Sequence, residues 1–144
     1  DSSDCDDGDG AQYPGADEYC NGEDDDCDGD IDEAGALNEA TWYADTDSDW
    51  YGDAASSVDA CDQPSGHVSD ATDCDDTDTA VNPGASEVCD GIDNDCDNLI
   101  DDADGSIDPS TGTTWYADSD SDTYGDPSNT ILTCDYCFNI FSRW

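Results

Sequence analysis

The sequence predicts a small, loop-rich, disulfide-stapled tandem repeat with few short β-strands and little helix. Three observations carry this. The chain repeats itself, it holds nine cysteines in 144 residues, and it sets 41 aspartates and glutamates against a single basic residue, for a formal net charge of −40. A chain so acidic and so poor in apolar residues is ordinarily disordered. The cysteines argue for cross-links, and the acids recur at fixed spacing rather than in blind runs.

The repeat is read directly. "DCDD" at 4–7 returns at 73–76, and Cys5, Cys20 and Cys27 return as Cys74, Cys89 and Cys96, each 69 residues later. "TWYADTDSDWYGD" (41–53) returns as "TWYADSDSDTYGD" (114–126), now 73 residues later, and Cys61 and Cys134 keep that larger offset. Four residues are therefore inserted between "IDDADGS" and "TTWYAD". The expected organisation is one acidic repeat over 1–69, a second over 70–138 and an apolar tail over 139–144. Units of this size complete one another as arrays.

Apolar residues are too sparse for a conventional core. Trp42 with Tyr43, Trp115 with Tyr116, and Tyr51 with Tyr124 are the expected nuclei, with short strands around 41–45 and 114–118. No helical periodicity extends beyond a turn or two.

The aspartates are spaced as metal loops. In "DDDCDGDID" (24–32), Asp24, Asp26, Asp28 and Asp32 take positions 1, 3, 5 and 9, with Gly29 at 6 and Ile31 at 8. This is the first part of an EF-hand-like calcium loop, in which alternate carboxylates turn inward, the glycine allows the bend and the apolar residue anchors it. The second copy matches with Asp93, Asp95, Asp97, Ile100 and Asp101, and Asn98 replaces the glycine. The glutamate expected at position 12 is absent, since Gly35 and Asp104 stand there. The loops are therefore not EF-hands, and further ligands come from elsewhere in the unit, from carbonyls or from water.

A second loop carries Asp45, Asp47, Asp49 and Asp53, repeated as Asp118, Asp120, Asp122 and Asp126. A third acidic group opens each copy: Asp4, Asp6, Asp7 and Asp9, then Asp73, Asp75, Asp76 and Asp78. Glu18 and Glu87 follow, each placed to close that group or to serve the next loop. Hard oxygen ligands at high charge density on flexible loops point to Ca2+ rather than to Mg2+ or a transition metal. About six ions, roughly three per repeat, are expected, so the fold class is calcium-stapled as well as disulfide-stapled.

Disulfides on this scale belong to an oxidising compartment, so the chain reads as extracellular or cell-surface, with its export signal removed. Short links Cys20–Cys27 and Cys89–Cys96 are expected to pin the calcium loops. A staggered Cys61–Cys74 link between copies is favoured over closure of each copy as Cys5–Cys61 and Cys74–Cys134. The staggered scheme leaves Cys5 without an upstream partner and Cys134 or Cys137 without a downstream one, so copies of the chain are expected partners, joined end to end there and through the apolar tail. The tail holds Phe138, Ile140, Phe141 and Trp144, and is expected to be buried in its own unit or in a neighbour. His67 is expected to be a surface loop residue rather than a ligand. Nucleic acid is excluded by the lack of a basic footprint, and no apolar run spans a bilayer. The chain is not expected to be an enzyme: one histidine and no lysine leave only carboxylates, which are accounted for as ligands. No Asn-x-Ser/Thr sequon occurs, but Ser- and Thr-rich linkers suit O-glycans.

The combined pattern "DCDD…PGA.E.C.G.D.DCD..ID" followed by "WYAD.DSD.YGD" resembles the MopE-type metal-binding repeat of secreted bacterial surface proteins, over about 4–61 and 73–134. The shorter pieces are also similar to thrombospondin type 3 calcium loops. The resemblance implies an extracellular, metal-stabilised module of surface proteins and adhesins. Copper binding does not carry over, because the chain has one histidine and no methionine. Trp50 and Thr123 stand where the family often has glycine, so that loop is expected to be reshaped. The expected function is that of a calcium-stabilised structural module, as a surface filament subunit or part of an adhesin-like array. The alternative is a metal-handling protein that stores calcium or captures copper.

Overall fold

The structure, a computed structural model, describes residues 4–134 and the strand at 141–142. The chain forms two compact units, 1–79 and 80–144. The opening acidic segment of the second copy, 73–78, thus lies in the first unit. Among the described residues, each unit has one three-stranded antiparallel sheet. In the first, β1 (Ala40–Ala44) lies between β2 (Asp53–Ala60) and β3 (His67–Val68); in the second, β4 (Thr113–Ala117) lies between β5 (Asp126–Thr133) and β6 (Phe141–Ser142).

The strands at 41–45 and 114–118 are found where threonine and the aromatics favour a pleated surface. Both hairpins share one register. Trp42 faces Val58 and Trp115 faces Ile131, and the pairing then jumps, so that Ala44 meets Asp53 and Ala117 meets Asp126. The acidic "DTDSDWYG" and "DSDSDTYG" segments are therefore the hairpin connections. His67 lies in β3 rather than in a loop, paired with Ala44. Phe141 takes the same place beside Ala117, so this part of the tail pairs within its own unit. Phe138, Ile140, Trp144 and Cys137 lie outside the described residues. The only helical element among the described residues is a 3-10 turn, Asp101–Ala103.

The core is smaller than expected and differently made. Ala36, Val68, Val81, Trp115 and Ala117 are buried, whereas Tyr124 is 74% exposed and Tyr51 only half-buried. Ile31 and Ile100 are exposed and do not anchor their loops. With so little apolar burial, covalent links matter more.

All the expected disulfide pairings are overturned. The bonds are Cys5–Cys27, Cys20–Cys61 and Cys89–Cys134, and Cys74 and Cys96 are also disulfide-bonded. The short links are unnecessary because hydrogen bonds already curl the loops: Asp24 accepts from the Asp28 and Gly29 N–H groups, and Asp93 from those of Asp97 and Asn98. The cysteines instead close spans of 22, 41 and 45 residues. Loops of that length remove roughly 3–4 kcal/mol of unfolded-state entropy each in the chain-entropy account.

The hairpin loops carry backbone strain. Trp50 has φ 82° and Thr123 φ 78°, left-handed conformations that a side chain disfavours. Asn98, at φ 71°, fills the left-handed place that Gly29 takes at φ 103°. Trp50 is also 77% exposed, so little burial offsets its strain. Trp50→Gly and Thr123→Gly should each stabilise the fold by about 1 kcal/mol. Urea midpoints check this, and an unchanged or lowered midpoint in both variants would remove the strain.

Candidate metal centres

Most loop aspartates make the same local contact. One carboxylate oxygen accepts the N–H two residues ahead, as Asp26 does from Asp28, Asp28 from Asp30, Asp49 from Tyr51 and Asp97 from Leu99. Such turns fix the loop with one oxygen and leave the other to face elsewhere. Carboxylates also converge at three places among the described residues, each with one oxygen per residue within 4.8 Å of the others.

In the first copy Glu18 is buried. Its Oε2 accepts from the Asp25 and Asp26 N–H groups and its Oε1 from that of Asp32. It meets Asp24 and Asp26, and Asp26 in turn meets Asp28 and Glu33. Glu18 therefore serves the following loop rather than the opening group. In the second copy Glu87 is fully buried and meets Asp95 and Asp104. Glu33 and Asp104 were not among the expected ligands. The signal for Asp104 was its place at position 12; that for Glu33 was its place directly after "DID".

The third cluster joins two sequence copies. Asp45, Asp47 and Asp76 form one group, and Asp47, Asp49 and Asp73 another, so the 45–49 hairpin loop and the 73–76 opening segment make one acidic centre instead of two. The opening segment is seated by backbone. The Asp73 N–H donates to the Gly52 carbonyl at 3.2 Å, and Asp76 accepts from the Thr46 N–H and hydroxyl. A Cβ at Gly52 would lie 2.8 Å from the Asp70 carbonyl and 2.9 Å from that of Ala44, so only glycine permits this approach.

The other expected residues are placed differently. Asp4, Asp6 and Asp9 are exposed, each holding a turn N–H, and Asp7 is exposed. Asp32 accepts from the Asn21 and Gly22 N–H groups, and Asp101 from that of Gly91, so these two pin the preceding turn. Asp53 and Asp126 hold the starts of β2 and β5 through Ala55 and Ser128. Asp75 and Asp78 are exposed. Asp118 accepts from Thr123 through Oδ2, while Asp120 and Asp122 are exposed around an open cavity of about 310 Å3, lined also by Ala117, Ser119, Tyr124, Gly125 and Asp126. That cavity is the counterpart of the place where, in the first hairpin, the 70–76 segment packs.

The clusters fit a cation. Glu33 Oε2, Asp47 Oδ2, Asp49 Oδ2, Asp73 Oδ2, Asp95 Oδ1, Asp104 Oδ2 and Asp118 Oδ1 are shielded from solvent yet have no hydrogen-bond partner. Buried carboxylate oxygens without donors are costly unless a proton or cation meets them. The strain shows in their acidity. Burial, then the charge of Asp49, pushes Asp47 up, and burial with Asp49, Asp47 and Asp76 nearby pushes Asp73 up despite a lowering hydrogen bond from Asp75. A backbone hydrogen bond lowers Glu33, but burial and the charges of Glu18, Asp28 and Asp26 outweigh it. All the donors are carboxylates, the set a hard divalent ion prefers.

Two stretches, residues 4–33 and 73–102, match the family model Cu-binding_MopE, described as "Putative metal-binding motif". No curated protein and no solved structure is significantly similar to the chain. Two copies of a metal-binding motif, in a chain that closes its own loops with disulfides and carries acidic clusters, are the features of a metal-binding secreted protein.

Two outcomes follow. Without metal, the raised carboxyls favour the fold while protonated, so their contribution is present below the ordinary carboxylate range and is lost as pH rises through the raised values. Asp108 and Asp126, held low by Ser110 and Ser128, lose their contribution only at more acidic pH. With an ion bound, the ligands must be ionised and the sign reverses. Unfolding midpoints between about pH 4 and 7 should fall with rising pH in chelator and rise in calcium; parallel slopes would contradict the assignment. Separately, Gly52→Ala should unseat the 73–76 segment and weaken calcium binding at the joint cluster by tenfold or more, read by calorimetric titration against the unmodified chain.

Proposed function

We propose that the protein is a calcium-stabilised extracellular structural module, working as a surface filament subunit or as part of an adhesin-like repeat array. The joint cluster carries this reading. Asp45, Asp47 and Asp49 from one copy face Asp73 and Asp76 from the next, and three of these carboxylates hold solvent-shielded oxygens without partners. An ion there would couple consecutive copies, which is a structural task. The open acidic cavity at Asp120, Asp122 and Asp126 supports the array, because the Asp4–Asp7 segment of a second chain has the sequence that fills the equivalent place in the first unit. An ion would offset the like charges of the two pieces; the end-to-end disulfide expected at Cys5 and Cys134 is not available to the joint, because both are bonded within the chain. Exposed Ser and Thr on β2 and β5 would accept O-glycans.

Catalysis has no place in this reading, since the clustered acids serve as ligands and as turn caps. Calcium storage would need weak sites on an unordered chain, whereas these carboxylates are pre-set by their turns. Copper capture finds little to use among the described residues: His67 Nδ1 lies 3.2 Å from the Ser65 carbonyl, and the described cysteines are oxidised.

Sedimentation and limited proteolysis, with disulfides intact, test the reading. In calcium the chain should resist protease and form larger species as concentration rises; excess chelator should abolish both. Protease resistance that survives chelator would overturn the calcium-built module. Protection in calcium by a chain that stays monomeric at every concentration would overturn self-assembly.

A further inference from the structure

We propose that Asp104 is a direct ligand of a divalent cation in the second copy, closing a buried carboxylate cage with Glu87 and Asp95. The proposal rests on the metal-binding reading above and adds a ligand beyond the stretch that matches the family motif, which ends at residue 102.

The cage is held from outside. Glu87 is 0% exposed and its oxygens accept from the Asp101 and Asn94 N–H groups, both at 2.8 Å. Asp104 is 6% exposed, and its Oδ1 accepts the Ser106 N–H at 2.6 Å. The Ser106 hydroxyl donates to Asp95 Oδ2 at 2.9 Å. One serine thus grips the outer oxygens of both aspartates. Their other oxygens, Asp95 Oδ1 and Asp104 Oδ2, are shielded from solvent and have no partner, in a group whose ligand atoms lie within 4.8 Å of one another. Three carboxylates this close and this buried repel one another strongly in a low-dielectric site. An oxygen-preferring divalent ion removes that repulsion and satisfies both orphaned oxygens.

The two copies reach closure by different residues. In the first, Glu33 joins Asp26 and Asp28. Its counterpart by the 69-residue offset is Asp102, one methylene shorter, and Asp102 Oδ1 accepts the Cys134 N–H at 2.7 Å, beside the Cys89–Cys134 bond. The closing carboxylate moves two residues on. The Glu18 carbonyl accepts from the Leu37 N–H, whereas that of Glu87 accepts from Asp108, so two inserted residues lie between the loop and this tie. They give room for the 3-10 turn at Asp101–Ala103, and the Asp104 N–H donates back to the Asp101 carbonyl at 2.9 Å. That turn delivers Asp104 to the cage.

The test is calcium titration by calorimetry on the full, oxidised chain. Asp104→Asn, which keeps an acceptor for Ser106, should weaken one site at least tenfold and leave the others in place. Asp102→Asn should change affinities by less than twofold. Wild-type binding with Asp104→Asn unchanged, or with both variants equally weakened, would overturn the proposal and leave the metal-binding reading standing; a wild-type chain that binds no calcium would overturn both. If Asp104→Asn does not fold, a terbium-bound crystal structure of the wild-type chain decides. An ion about 2.3–2.6 Å from an Asp104 oxygen is expected, and an ion in the second copy that Asp104 does not touch would refute the assignment.

Discussion

The structure depends on aspartates whose carboxylate oxygens hold the loop backbone while their charges crowd together: Asp24 and Asp93 use both oxygens on N–H groups, and Asp49 keeps one shielded and unpartnered. With only short sheets and one 3-10 turn among the described residues, most loop N–H groups have no ladder to join, and buried ones need an acceptor. Asp24, Asp26, Asp45, Asp49, Asp93 and Asp97 supply it from within two to five residues. The same turns crowd negative charge, which bound cations would offset. Local shape and metal demand therefore come from one residue type.

This constraint explains the small core. Disulfides spanning 22 to 45 residues reduce the entropy of the unfolded chain, and bound ions would add folding free energy directly. Apolar packing has only to position β1 and β4, whose hairpins present the acidic loops. The repeat boundary in sequence is accordingly not a boundary in chemistry. The 73–76 segment, which begins a copy by the sequence repeat, finishes an acidic cluster in the copy before it.

Periodicity made much of this legible. The strands, the loops and the left-handed roles of Gly29 and Asn98 follow from local residue types. The disulfide pattern did not, because loop curvature came from carboxylate hydrogen bonds and released the cysteines for longer spans. Asp45–Asp49 and Asp73–Asp76 read as separate sites because only the close approach at Gly52 unites them, which is tertiary information. Asp104 stood at the position where a glutamate was expected and was not read as a ligand; its nearness to Glu87 and Asp95 follows from the 3-10 turn at Asp101–Ala103, which the spacing alone does not announce. Ile31 and Ile100 looked like anchors by analogy with an EF-hand-like loop, but both are exposed, and no α-helix among the described residues receives them.

The most direct measurement is the thermal midpoint of the oxidised chain as a function of free calcium. If cations complete the fold, the midpoint climbs steadily with the logarithm of calcium concentration well beyond the dissociation constants, with a slope that reports several ions released on unfolding. A midpoint independent of calcium, from chelator to millimolar ion, would mean that the carboxylate clusters are stable as anions and that metal does not hold this protein together.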